Sequence, residues 1–346
     1  MAGEFRNFED PNKNKNMVSM QDIADQVGVS RSTVSLVLSG KAGSRVSEEV
    51  KKKVRESAKE LNYHINDVAR SLRTGASKLI AVIITDISNE FFGRLTHRIQ
   101  EVAQKEGYLV LMINTNEDPV QFEKMVRVLI GRKVDGIIAV PPPGGDETVR
   151  FVQEMGVPIV LVDRQCEGQD VGFVGIDNYA AARSAVNELL DDGFRKISLV
   201  GLDLDIAPLN QRRDAYLDAM KQRGLEENID LRLIPYGVEE EPELAKVFRG
   251  LAAADAVFFT SRRAFTQAMA QRAWLGQKLP DNQCLLCFDD VQAYLMLHSD
   301  IRYVEQPVDE MAHKAFDILM GQIHGISSGG PRIFSTRCIS NRKFNL

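Results

Sequence analysis

The chain has 346 residues, 44% hydrophobic and 26% charged, a composition that folds and whose length fits two domains or one large domain with a small module. Three classes are excluded at once: no apolar run approaches the ~20 residues of a membrane span, residues 1–16 lack the apolar core of a secretion signal, and four cysteines are too few for a disulfide framework. The net charge of −5 is unevenly spread: Met17–Lys78 carries 11 Lys+Arg against 7 Asp+Glu, whereas Leu79–Leu346 carries 29 against 38, so only the basic front is suited to an anionic partner.

In chain order, residues 1–16 are rich in Asn and charge and read as a disordered tail or an expression remnant. A first helix is predicted over about Met20–Gln26, ended by Gly28, which accepts a left-handed turn. Ser30 reads as the N-cap of a second helix reaching about Leu38, and Ser47 starts a third with Glu48 and Glu49 in its first turn. The short Gly28-Val29-Ser30 link, with Ala24 at the close approach and Val29 and Val34 plugging the angle, is the spacing of a helix-turn-helix. In such a motif the second helix enters the major groove N-terminus first. Arg31 would bond guanine, Ser32 a base edge or phosphate, and Thr33 and Ser35 phosphates. The bland alternative is a structural three-helix cap.

From Leu79 the pattern changes. Short apolar runs at Leu79–Thr85, Tyr108–Ile113, Gly136–Val140, Val157–Val162, Lys196–Gly201, Ala256–Thr260 and Cys284–Phe288 alternate with amphipathic stretches such as Phe91–Glu106 and Leu209–Arg223. That is βαβ repetition with strands buried on both faces. About 270 residues is long for one such sheet, so two sheets flanking a cleft are expected. Cys284 and Cys287 lie in a strand, where positions three apart face opposite sides, and read as buried thiols. The five histidines form no ligand-spaced cluster, Pro141–Gly145 lacks the Lys of a phosphate loop, and no nucleophile–base pair stands out, so neither metal, cofactor nor catalysis is expected.

Asp22-Ile23-Ala24, Gly28-Val29-Ser30, Thr33-Val34-Ser35, Val46-Ser47, Leu61-Asn62-Tyr63 and Asn66 through Leu72 together resemble the headpiece of the lac repressor family. The resemblance implies an all-α helix-turn-helix headpiece at 17–64 and a hinge helix at 65–77. It further implies an α/β periplasmic-binding-protein-like core of two Rossmann-like subdomains at 78–346. The first subdomain would take about 78–176 and 307–328, the second about 177–304 and 329–346. It also implies a cytoplasmic homodimer on palindromic operator double-stranded DNA, with Asn66 in the hinge and Leu72 as the minor-groove wedge. Two departures stand out: Leu36 occupies a position that is often polar and base-reading, and Ile65 replaces the usual proline. The loop Gly40–Arg45 and Arg31 are similar to those of the fructose-repressor branch.

For the core, the resemblance implies a small sugar or sugar-phosphate effector, held at strand ends. Its contacts would be Asn89 with Phe91 and Phe92, the pair Asp163-Arg164, Arg212, Asp289 and Gln306. Where the family commonly has Asn-Asp, this chain has Ser261-Arg262. With Arg164 neutralising Asp163, Arg212 and Arg262 would face the ligand without counter-charge, which points to a sugar phosphate or sugar acid. The competing readings are a sugar-binding protein of the periplasmic type without a DNA role, and an enzyme on a Rossmann-like scaffold.

Overall fold

The computed structural model describes residues 18–63, 75–166, 168–237, 241–274, 280, 282–295, 300–326 and 330–340. The chain divides into two units at Ser77/Lys78. The hinge residues Asn66 and Leu72 lie outside the described residues.

The first unit is built from three helices, α1 (Met20–Val27), α2 (Arg31–Leu38) and α3 (Glu48–Glu60). Each has a serine at its N-cap whose side chain accepts from an otherwise orphaned backbone N–H: Ser19 from Gln21 and Asp22, Ser30 from Thr33, Ser47 from Val50. Gly28 closes α1 at φ 73°, a conformation that costs a residue with a Cβ. Ile23, Ala24, Val34, Val37, Val54 and Ala58 form its core, with Val29 and Tyr63 packed against it. Gln26 accepts from Ser57 and donates to Glu60, fastening α1 to α3.

The second unit carries two six-stranded sheets. The first, in order β11-β5-β4-β3-β1-β2, comprises Arg332–Phe334, Gly172–Ile176, Ile159–Val162, Gly136–Ala139, Leu79–Ile84 and Leu109–Asn114, all parallel. The second, β12-β10-β9-β8-β6-β7, comprises Arg337–Ser340, Ile301–Glu305, Cys284–Phe288, Ala256–Phe259, Ile197–Asp203 and Asp230–Pro235; it is parallel except for β12. The helices are α4 (Glu90–Lys105), α5 (Pro119–Gly131), α6 (Asp146–Glu154), α7 (Asn178–Asp191), α8 (Ala207–Gln222), α9 (Glu241–Phe248), α10 (Arg262–Trp274) and α11 (Val308–Ile323). The chain crosses between the sheets after β5, after β10 and after β11.

One boundary differs from the sequence expectation. Residues 329–346 were expected in the second subdomain, yet β11 pairs with β5 of the first sheet and only β12 joins the second. Both strands are too short for the apolar pattern to show which sheet recruits them. Cys284 and Cys287 are buried and face different cores, as strand alternation requires, and burial pushes the Cys287 thiol up, so it stays protonated.

One apolar core runs along both sheets, from Ile80 of the first sheet and Phe316 of α11 to Tyr216 of α8 and Phe258 and Phe288 of the second sheet. Helix α11 lies close on the first sheet. A Cβ at Gly136 would meet Leu319 at 2.8 Å and one at Gly172 would meet Ile318 at 2.7 Å, so these two glycines let the helix seat. Tyr216 ties α8 to β6 and β7: its buried hydroxyl donates to the Ile197 carbonyl at 2.6 Å and accepts from the Asp230 N–H at 3.2 Å. Tyr216→Phe leaves that carbonyl without this donor and should cost the core about 1–3 kcal/mol. Chemical denaturation of the full chain measures it, and unchanged stability would mean that water replaces the hydroxyl.

Candidate functional site

In the first unit the leading edge of α2 is polar. Arg31 and Ser32 are exposed, and Thr33 and Ser35 are half-buried one turn further in. The hydroxyls of Ser32 and Thr33 both meet that of Ser30, at 2.7 and 2.9 Å, so the cap holds them at the helix start. Leu36 is half-buried against the headpiece core, which leaves part of its side chain for van der Waals contact. Backbone N–H groups and hydroxyls at a helix N-terminus suit a phosphate, and an exposed guanidinium beside them suits a base edge.

In the second unit a cavity of about 60 Å³ opens at the carboxyl ends of the strands of both sheets. It is lined by nine of the ten positions expected from the sequence: Asn89, Phe91, Phe92, Asp163, Arg164, Arg212, Ser261, Asp289 and Gln306. Asn89 caps α4 by accepting from the Phe91 N–H, which fixes Phe91 and Phe92 edge to face at 5.2 Å on the cavity wall. Asp163 and Asp289 follow β4 and β9 directly and sit at φ 69° and 78°. Non-glycine residues are rare in that region, and their cost is tolerated where the surroundings aim a side chain.

Arg212 is buried at 4% exposure. Its Nε and Nη2 donate to Asn178 Oδ1 at 2.9 and 2.7 Å, its Nη1 donates to the Thr260 carbonyl at 2.8 Å, and its plane lies 3.5 Å from the Phe288 ring centroid. Burial lowers its pKa, and Asp289 and Asp163 oppose that shift. Gln306 donates to Asp289 at 2.5 Å, leaving the Gln306 carboxamide oxygen buried without a partner.

Two expectations about charge are corrected and one is extended. Arg262 does not line the cavity; its guanidinium turns to Glu90 and to the Asp290 carbonyl, and the neighbouring Arg263 lines the cavity instead. Arg164 does pair with Asp163, 3.6 Å from its Nε, as expected, but it also forms a two-pronged pair with Glu117, both contacts 2.6 Å. Arg212 does not face the ligand without counter-charge, since Asp163 and Asp289 lie in its field. The lining holds the carboxylates of Asp86, Glu117, Asp163 and Asp289 against the guanidiniums of Arg164, Arg212 and Arg263. Burial pushes the Asp163 carboxyl above the usual carboxylate range, against the pull of Arg164 and Arg212.

Sequence reasoning missed Glu117, Asn178, Tyr236 and Arg263. Glu117 follows β2 and could have been found by the strand-end rule. Tyr236 follows β7, an edge strand that alternates exposed and half-buried residues and so gave no continuous apolar run. Among the described residues no group of His, Cys, Asp and Glu could hold a metal ion, and no helix is long and apolar enough to cross a membrane.

The pattern of bacterial regulatory proteins of the lacI family matches residues 19–70. That of the periplasmic binding proteins and sugar binding domain of the LacI family matches residues 77–246, and a periplasmic binding protein-like domain matches 186–343. The ribose operon repressor of Halalkalibacterium halodurans is 29% identical over 89% of this chain and 91% of its own length. The lac repressor dimer bound to operator and the anti-inducer ONPF has the same fold, with a TM-score of 0.77 at 19% identity over 93% of this chain and 97% of that one. A periplasmic binding protein/LacI transcriptional regulator from Alkaliphilus metalliredigens, complexed with D-xylulofuranose, matches with a TM-score of 0.64 at 22% identity over 76% and 97%. Headpiece, two-sheet core and these matches agree: the chain belongs to the lac repressor family of DNA-binding transcription regulators.

Proposed function

We propose that this chain is a homodimeric repressor that binds palindromic operator DNA and is switched by a small neutral sugar bound between its two sheets. The observation that carries the effector reading is the polar balance of the cavity. The Asp163 carboxylate, one oxygen of Asp289 and the Gln306 carboxamide oxygen accept no hydrogen bond from the described residues, while each arginine in the wall already faces a carboxylate or a carbonyl and the one orphaned guanidinium nitrogen, Arg164 Nε, lies 3.6 Å from Asp163. A ligand rich in hydroxyl donors satisfies those acceptors; an anion meets four carboxylates. Phe91, Phe92, Ile206 and Leu209 offer apolar surface for a ring face. The cavity has several times the ~10–15 Å³ that one water needs, which suits a monosaccharide. The relative named as a ribose operon repressor supports a sugar of this class.

The dimer reading rests on the sheet edges. Strand β2 exposes Leu109 and Met112, and β7 exposes Leu231 and Leu233, each at the edge of its sheet. A second copy covers such edges in a dimer, and two headpieces then read two half-sites. A sugar-binding protein without a DNA role would have no use for the capped and exposed start of α2.

Binding to a palindrome should be steeply salt-dependent: with about 6–10 phosphate contacts, affinity falls by roughly 10³–10⁵ between 50 and 200 mM salt. Arg31→Ala should cost about 1–3 kcal/mol and relax preference at one base pair per half-site. Fluorescence anisotropy on a palindrome and on a single half-site checks both. Equal affinity for the two DNAs, or a flat salt response, contradicts the proposal.

The raised pKa of Asp163 gives the effector a pH signature. A sugar hydroxyl donates to the ionised carboxylate, so binding favours ionisation. Affinity should be full above the Asp163 pKa and fall as pH drops through it, beginning at a higher pH than for an ordinary aspartate at 3.8. Asp163→Asn should bind weakly and without that dependence. Calorimetry with D-ribose against ribose 5-phosphate, across pH, measures it; tighter binding of the phosphate would overturn the neutral-sugar reading.

A further inference from the structure

The arginines that leave the cavity do something else. Arg262, at the start of α10, pairs with Glu90 in the first turn of α4, and it also donates to the Asp290 carbonyl. Asp290 in turn accepts from Arg94, one turn further along α4, at 2.9 Å. Glu90 and Arg94 belong to the first sheet's side of the cleft, Arg262 and Asp290 to the second's. The four groups alternate in sign around a small second cavity that shares Phe91, Asp289 and Gln306 with the effector cavity. A fifth and sixth residue repeat the theme, with Arg263 donating to Asp86 at 2.9 Å across the same cleft.

The strap is half shielded: the Arg262 and Asp290 side chains are each 17% exposed, whereas their partners Glu90 and Arg94 are 49% and 40% exposed. Each pair is therefore open to salt, and each group reads the sign of its opposite number. The pairs Glu90–Arg262, Arg94–Asp290 and Asp86–Arg263 bridge the two sides, so they depend on the separation of the two sheets. Asp290 is also the neighbour of Asp289, whose left-handed backbone aims its carboxylate into the effector cavity. Holding Asp290 from both sides fixes that loop.

We propose that Glu90, Arg94, Arg262 and Asp290 form an electrostatic strap that holds the cleft closed and positions Asp289, so that these residues set effector affinity without touching the effector. The proposal rests on the reading of the large cavity as the effector site. It also accounts for the Ser261-Arg262 sequence: the cation serves closure, and the ligand meets Arg263 and Asp289 instead. Opening the cleft lowers the fraction of binding-competent molecules, and the apparent affinity falls by that fraction.

The strap is tested on the full chain with spin labels at Ile87→Cys and Asp203→Cys, exposed positions on the two lips, in a Cys338→Ser background. In the unliganded protein the label separation should be short at low salt and shift to longer distances in 1 M salt. Arg262→Glu, which faces Glu90 with a like charge, should shift it the same way at low salt, and Arg262→Gln should shift it by less. The charge swap Glu90→Arg with Arg262→Glu should return the short separation. D-Ribose affinity should follow, falling about tenfold in Arg262→Glu and recovering in the swap. Distances that respond to neither salt nor Arg262→Gln overturn the strap, as does a swap that leaves the cleft open. If the distances respond as expected while no sugar binds the wild type, the strap stands and the sugar reading fails.

Discussion

A guanidinium enclosed by protein must be held, and Arg212 is held by three elements besides its own helix. It reaches from α8 to the first residue of α7, to the end of β8 and to the face of Phe288 at the end of β9. Its charge is supported by Asp163 from the first sheet and Asp289 from the second. Stranding such a charge costs several kcal/mol, so the strand ends that meet at Arg212 are constrained to one arrangement. The left-handed backbones of Asp163 and Asp289 are a consequence, because each carboxylate must turn inward where its strand stops.

Parallel sheets explain why the site lies where it does. Helices cover both faces of each sheet, and the continuous apolar core shows how completely. Their carboxyl ends receive no such cover, so polar residues gather there and the two sets face each other across the cleft. In that enclosed space every arginine acquires a partner: Glu117 for Arg164, Asp86 for Arg263, Glu90 for Arg262. On the proposed reading, the acceptors left without a hydrogen bond meet the ligand's hydroxyls, and the arginines hold the cleft.

Much of this was legible in the sequence, for identifiable reasons. The helix-turn-helix could be read because Gly28 and Ser30 mark a turn with local chemistry that needs no tertiary information. The strands β1, β3, β4, β6, β8 and β9 could be read because burial on both faces leaves continuous apolar runs. The site positions followed from the family resemblance, whose contacts lie at strand ends, and nine of the ten meet in one cavity. What failed was the direction of charged side chains. Arg262 and Arg263 are adjacent, and only the geometry of α10 decides which of them enters the cavity. Asp163 and Arg164 are adjacent and do pair, but the hydrogen-bonded partner of Arg164 is Glu117, 47 residues earlier. Pairing across sequence distance is set by packing, and a single sequence does not carry it.

The proposed switch couples occupancy of the cleft to affinity for DNA. Operator affinity measured by anisotropy on the full chain, at sugar concentrations from zero to saturation, tests it directly, with cleft occupancy followed by calorimetry in the same buffer. Saturating sugar should weaken binding to the palindrome by about 5–150-fold, and operator DNA should weaken sugar binding by the same factor. An operator affinity that stays constant while the cleft fills would contradict the claim, because a ligand that binds both states equally shifts neither.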